Sequence, residues 1–283
     1  MRRIRLFLLA CTVALSSIVW LVGPVAAAAD DEVYYLALGD SLAVGYQPDG
    51  TTGKGYPDQL YRQLKARNPD LQFKNLGCSG ATTVSMIGGT DDPTSGCYEK
   101  YSLGNQLDQA IDFIKSHRVA YLTIDIGAND VVNCVKPPTI DDACFNMGLA
   151  TVRSNLDTIL DELRAAIRGS DNKRFTKSAG MTYYDPTLGA WAFGFPALAL
   201  ASVGYVTRLN ATEAGQYLTH GFRVAPVASV FQTYDFRINS TTQRPNNVQF
   251  VCDHTWSCSL GDIHANNDGY QVIADTFAGV LRW

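Results

Sequence analysis

Four short blocks of this chain carry side chains that can move a proton or hold a developing negative charge. The apolar run Val33–Leu38 stops at Gly39-Asp40-Ser41, which puts a serine hydroxyl at the carboxyl end of a strand. In an open α/β sheet that edge is where ligands bind. The stretch Leu71–Leu76 runs into Gly77-Cys78-Ser79-Gly80-Ala81, and Tyr121–Ile126 runs into Gly127-Ala128-Asn129-Asp130. The last block, Asp262-Ile263-His264-Ala265-Asn266, stands just before a helix-like C-terminal run. A serine hydroxyl is a poor nucleophile until a nearby base takes its proton. Among the four histidines, His264 is the candidate base, in a loop free to reach over the sheet edge. Donors for an oxyanion are available in the main-chain N–H groups of Ser41 and Gly80 and the amide of Asn129. A glycine permits close approach of the chain, and a neutral amide donates without a protonation requirement.

Each block alone has an ordinary explanation as turn or cap chemistry. Taken in order, they resemble the SGNH (GDSL) hydrolase family: Ser41 in the first block, Gly80 in the second, Asn129 in the third and His264 in the last. The likeness spans nearly the whole chain beyond its N-terminal segment. It implies a three-layer α/β/α fold with a central, mostly parallel five-stranded sheet, flavodoxin-like in outline. It also implies a serine carboxylic-ester hydrolase without a cofactor, in which Ser41 attacks, His264 relays the proton, and Ser41, Gly80 and Asn129 hold the oxyanion. In the family the side chain of Asp40 is structural.

The orienting acid departs from the family pattern. The family usually places Asp three residues before the histidine, where this chain has Gly261; Asp262 stands two before. In an extended segment such residues share a face about 6–7 Å apart at Cα. Three partners for the imidazole remain: Asp262, a main-chain carbonyl near Gly261, or Asp268, with Asp262 nominated.

The chain has 283 residues, 46% of them hydrophobic, enough for one well-buried α/β domain, expected over residues 30–283. Ahead of it, Arg2, Arg3 and Arg5 precede the apolar stretch Leu6–Val22, then Gly23-Pro24 and the small run Val25–Ala29. That is the layout of a secretory signal peptide over residues 1–29, with cleavage near Ala28 or Ala29, so a secreted, extracellular protein is expected. Losing those arginines leaves 20 basic against 27 acidic residues and moves the formal charge from -4 to -7. No basic patch with interleaved aromatics remains, which argues against nucleic acid as a partner. A monomer without a stable membrane span after processing is expected.

Six cysteines follow the leader: Cys78, Cys97, Cys134, Cys144, Cys252 and Cys258. An even count in an oxidising compartment implies disulfides, although about 15 connectivities are open to six cysteines. Nearest-neighbour pairing is expected, each pair closing one surface loop beside a candidate block; exported actinobacterial esterases of the family are similar in this respect. A zinc site is not expected, since Cys252 and Cys258 with His254 between them have poor zinc spacing. His254 is kept as a minor substrate contact, while His117 and His220 read as helix C-terminal surface residues.

The elements that must position these groups follow from periodicity. Strands are expected at Val33–Leu38, Leu71–Leu76, Val119–Ile126, Thr176–Tyr184 and Arg223–Val227. Helices are expected over 56–67, 105–116, 142–167, 196–209 and 212–220, with a last one beyond Asn266. Their alternation indicates a parallel sheet covered on both faces. The fourth strand is anomalous, because its first half is polar whereas buried parallel strands read as apolar runs; a start at Ala179 is one resolution. The segment Trp191–Pro196 reads as core or helix-start packing, with an acyl pocket lining as the alternative. The substrate expected is a lipid-like or carbohydrate O-acyl ester. An O-deacetylase and an inactive binding relative of the same fold are the competing readings.

Overall fold

The computed structural model describes residues 32–282; the expected leader at residues 1–29 lies outside them. The strands are β1 (Val33–Gly39), β2 (Leu71–Asn75), β3 (Arg118–Asp125), β4 (Val135–Lys136), β5 (Thr139–Ile140), β6 (Lys177–Met181) and β7 (Arg223–Ala225). The helices are α1 (Ser41–Val44), α2 (Tyr56–Lys65), α3 (Thr83–Gly88), α4 (Gln106–Ser116), α5 (Asp142–Arg168), α6 (Pro196–Thr219), α7 (Val227–Val230), α8 (Asn246–His254), α9 (Ser257–Leu260) and α10 (Asn267–Leu281). Five strands form one sheet in the order β2-β1-β3-β6-β7, and all its pairings are parallel. Helices α2 and α10 pack together on one side, and α4, α5 and α6 pack in succession on the other. This is the three-layer α/β/α arrangement expected from the sequence. β4 and β5 form a separate antiparallel hairpin.

β1 lies between β2 and β3, with Val33 opposite Leu71 on one side and Gly39 opposite Asp125 on the other. Burial from both faces explains its continuous apolar reading. Beyond the strand ends, Leu76 N–H donates to the Ala37 carbonyl and Cys78 N–H to the Gly39 carbonyl. The three loops that carry Ser41, Gly80 and Asn129 therefore leave the sheet at one edge. Gly39 has φ of 140°, and a Cβ there would lie 2.2 Å from the Asp125 carbonyl oxygen. No other residue fits between β1 and β3 at that point.

The polar fourth strand has a packing reason. β6 starts at Lys177, whose ammonium sits 5.8 Å from the centre of the Tyr121 ring at the margin of the sheet. Its interior residue Gly180 is small because Tyr217 of α6 lies across it; a Cβ there would come within 2.2 Å of that ring. α6 itself corrects the sequence reading, being one helix where two were expected. Asn210 lies in the expected gap between them, and its side chain accepts from Tyr183 N–H at 2.7 Å and donates to the Tyr183 carbonyl at 2.8 Å. The amide fastens the end of β6 and leaves the helix unbroken. Among the described residues no helix is long and apolar enough to cross a membrane.

Candidate active site

Ser41 is the first residue of α1, and Asp40 caps that short helix by accepting from Leu42 N–H at 2.9 Å. The other Asp40 oxygen accepts from the Tyr183 hydroxyl at 2.8 Å. The backbone turn that turns the Ser41 side chain out of the sheet is thus fixed by a buried carboxylate held on both oxygens. Behind it, Asp125 accepts from the Tyr56 hydroxyl and lies against Asp40 N–H. Burial, then the neighbouring Asp40 carboxyl, pushes Asp125 well above the usual carboxylate range, and burial also raises Asp40.

Ser41 and His264 are 223 residues apart in sequence, and Ser41 Oγ lies 2.8 Å from His264 Nε2. His264 Nδ1 lies 2.7 Å from Asp262 Oδ1. A carboxylate oxygen accepts, so Nδ1 carries the proton and Nε2 is free to accept from the serine hydroxyl. Asp262 reaches the ring by closing on its own backbone: Oδ1 also accepts from His264 N–H at 2.9 Å. This Asx-turn folds the segment back and brings the carboxylate beneath the imidazole two residues on. Of the three partners open from the sequence, Asp262 is the one against Nδ1; Asp268 lies instead in the first turn of α10, where its N–H donates to the Asn266 cap.

The His264 loop is held from several sides. Tyr184 donates its hydroxyl to the Ile263 carbonyl at 2.7 Å, Ser257 donates to the Asp262 carbonyl at 3.2 Å, and Trp256 N–H donates to the His264 carbonyl at 2.9 Å. Cys252–Cys258 ties α8 to α9 immediately upstream. The Tyr46 ring lies over the imidazole with 4.5 Å between centres. His254, kept as a minor substrate contact, lies outside the pocket described below: it stacks on Phe250 at 3.9 Å between centres, and its Nδ1 donates to the Phe250 carbonyl.

The candidate oxyanion donors come from the other strand ends. Among the described residues neither Ser41 N–H nor Gly80 N–H has a hydrogen-bond acceptor. Gly80 holds φ of 80°, in the left-handed region that favours glycine. Asn129 donates one amide hydrogen to the Ala81 carbonyl at 2.9 Å, which ties the third block to the second beside Gly80 and leaves the other hydrogen available. Asn129 lines the same pocket as Ser41 and His264; Gly80 is not among its lining residues. Asp130 adds a second tie, accepting from Thr83 N–H at 2.9 Å and from the Thr83 hydroxyl at 2.7 Å. Its adjacency to Asn129 is the signal by which sequence alone offers it; the Tyr183 contact with Asp40 has no such signal.

The pocket holds about 750 Å³ counted to its open mouth. From the serine it runs beneath the β4–β5 hairpin and along α6, with Leu42, Val131, Phe145, Tyr205, Leu209 and Ile263 among its apolar walls. Cys134–Cys144 closes the hairpin onto the start of α5. Trp191–Pro196 does not line it: Trp191 packs half-buried on the core, and Phe193 and Phe195 are exposed. One ionisable wall residue, Asp185, caps the following turn and accepts from Ser202 at 2.6 Å; burial pushes its carboxyl up to about 6. Deeper, Glu213 of α6 is fully buried with neither carboxyl oxygen hydrogen-bonded, and burial raises it well above the usual range. A Cβ on Gly127 would lie 2.9 Å from its Oε1, so this carboxyl sits directly behind the Asn129 loop. Cys78–Cys97 completes the set of neighbouring cysteine pairs at disulfide distance.

A parallel sheet whose strand ends gather a serine, a histidine and an asparagine is the frame of an SGNH-type hydrolase. The model of the GDSL-like lipase/acylhydrolase family matches residues 37–272, and the chain belongs to that family. Comparison with curated protein sequences finds no match. Among solved structures, the extracellular lipase of Streptomyces rimosus superposes with a TM-score of 0.53 at 19% identity, over 88% of this chain and 99% of that one. Phospholipase A1 from Streptomyces albidoflavus NA297 gives 0.52 at 18% identity, over 87% and 98%. A lipase from a goat rumen metagenome gives 0.55 at 16% identity, over 88% and 97%. At these identities the likeness shows the shared fold.

Proposed function

We propose that this hydrolase is a secreted serine esterase that cleaves lipid-like O-acyl esters through an acyl-enzyme intermediate. The observation that carries the reading is the continuous relay Asp262–His264–Ser41 opening into an apolar pocket. His264 Nε2 takes the Ser41 proton as Oγ attacks the ester carbonyl. The Ser41 and Gly80 N–H groups and the Asn129 amide receive the oxyanion, each such donor being worth about 3–4 kcal/mol of barrier. As the tetrahedral adduct collapses, His264 returns the proton to the leaving alkoxide. Water, activated by the same nitrogen, then releases the acyl group as a carboxylic acid. Asp262 holds the tautomer and stabilises the imidazolium that forms.

The pocket walls favour an alkyl acyl chain over an acetylated sugar, which calls for polar groups along the wall. Secretion rests on the leader-like residues 1–29 and on the three cysteine pairs, which persist in oxidising compartments. The test is a series of p-nitrophenyl esters of rising chain length with the wild type and Ser41→Ala. The expected result is a preference for chains of middle length over acetate, lost in the variant. Equal rates in both proteins would end the esterase reading, and a preference for acetyl-xylan would move it to a deacetylase.

A further inference from the structure

On the side of the molecule formed by α5 and α6, away from the ester site, three side chains from two elements converge. Asp157 and Asp161 stand one turn apart on α5, and His220 caps the C-terminus of α6. Their ligand atoms all lie within 4.8 Å of one another. The sequence reading placed His220 on the surface, but its side chain is only 6% exposed and points at the two carboxylates. Its Nδ1 lies 2.7 Å from the Gln216 carbonyl oxygen. A carbonyl only accepts, so Nδ1 carries a proton, and Nε2 is the ring nitrogen that faces Asp157 and Asp161.

Nε2 faces both carboxylates at nearly equal distance. Nε2 lies 3.3 Å from Asp157 Oδ1 and 3.4 Å from Asp161 Oδ1. A direct charge-assisted bond is shorter, as His264 shows with its 2.7 Å contact to Asp262. Around a tetrahedral cation with bonds of ~2.1 Å, neighbouring ligand atoms stand about 3.4 Å apart. The Nδ1–H bond to a carbonyl is the outer contact that orients a metal-binding imidazole and fixes its tautomer. The Arg164 guanidinium lies beside Gly221, the residue after His220.

We propose that Asp157, Asp161 and His220 bind one borderline divalent cation of the zinc, cobalt or nickel kind. Imidazole with two carboxylates suits such ions better than calcium or magnesium, which take oxygen ligands. Water completes the coordination on the exposed side. Asp157 lies twelve residues along α5 from the pocket residue Phe145, about 18 Å at the helical rise, so the ion is structural. It clips α5 to the end of α6 where the chain enters β7.

The test uses the full chain stripped by chelation, titrated with Zn²⁺ and in parallel with Mg²⁺, read by calorimetry and thermal unfolding. One Zn²⁺ per chain is expected, with Tm raised by about 5–10 °C at a hundredfold excess over Kd. Asp157→Asn, Asp161→Asn and His220→Gln each weaken Zn²⁺ binding at least tenfold, whereas Asp262→Asn does not. The two aspartates are exposed, so their variants fold and carry the test even where His220→Gln does not. No Zn²⁺ response in the wild type, an equal response in the aspartate variants, or a response lost on Asp262→Asn would each overturn the proposal.

Discussion

Asp262→Asn isolates one contribution to the proposed relay. In the wild type Oδ1 accepts both the His264 main-chain N–H and Nδ1–H. An asparagine keeps that oxygen in place, because the main-chain N–H still needs an acceptor and holds the amide oxygen inward. The tautomer is therefore retained, and the variant loses the negative charge alone. With charge centres about 4 Å apart and an effective dielectric constant of about 20, the carboxylate stabilises the imidazolium by about 4 kcal/mol. At 1.36 kcal/mol per decade this is a fall of roughly 10³ in kcat. KM changes little, because the imidazolium exists in the transition state and not in the Michaelis complex. The assay is steady-state hydrolysis of a soluble p-nitrophenyl ester, with circular dichroism to show the fold intact and Asp268→Asn as the control that retains wild-type rates. A loss below tenfold would refute the assignment of Asp262 as the orienting acid. A Tm fall large enough to unfold the variant at assay temperature would refute the view that the Asx-turn survives the substitution.

Further outcomes follow from the rest of the site. Asn129→Ala lowers kcat by about 10²–10³ with little change in KM, measured on the same ester, if its amide holds the oxyanion as proposed. Val206→Trp narrows the pocket along α6, so kcat/KM for a decanoate ester falls at least tenfold while that for a butyrate ester stays within twofold. Glu213 is buried and its carboxyl raised, so protonation is favoured in the fold. Its stabilising effect is therefore complete below the ordinary glutamate value and is lost as pH rises towards the raised one. Across that window the wild type loses about 1.4 kcal/mol per pH unit relative to Glu213→Gln. Urea unfolding of both proteins at pH 5, 6 and 7 measures the gap, and a gap independent of pH would contradict the burial argument.

The sheet and its order of elements are legible in the sequence because its strands are written largely as apolar runs and β1, β2 and β3 run into the glycine-bearing turns at Gly39, Gly77 and Gly127. Strand β6 is harder to read. Its Gly180 answers to the Tyr217 ring, which arrives from a helix some forty residues later, and periodicity within the strand carries no trace of it. The same holds for α6, where Asn210 serves the backbone of β6 rather than a helix end. Ser41, Asn129 and His264 stand out because their blocks follow one another in a recognisable order. The partner of His264 does not, since spacing along an extended segment gives no hint of an Asx-turn. The pocket is equally hidden: its walls come from the β4–β5 hairpin, the start of α5 and the middle of α6, joined only in three dimensions.

The central claim is that the Ser41 hydroxyl is the group activated by His264. Its most direct measurement is labelling of the full, active chain with an organofluorophosphonate, followed by mapping of the modified peptide. One label per chain on Ser41, with hydrolysis lost in step with labelling, is the predicted result. Modification at any other residue, or full ester hydrolysis by a protein labelled at Ser41, would contradict it.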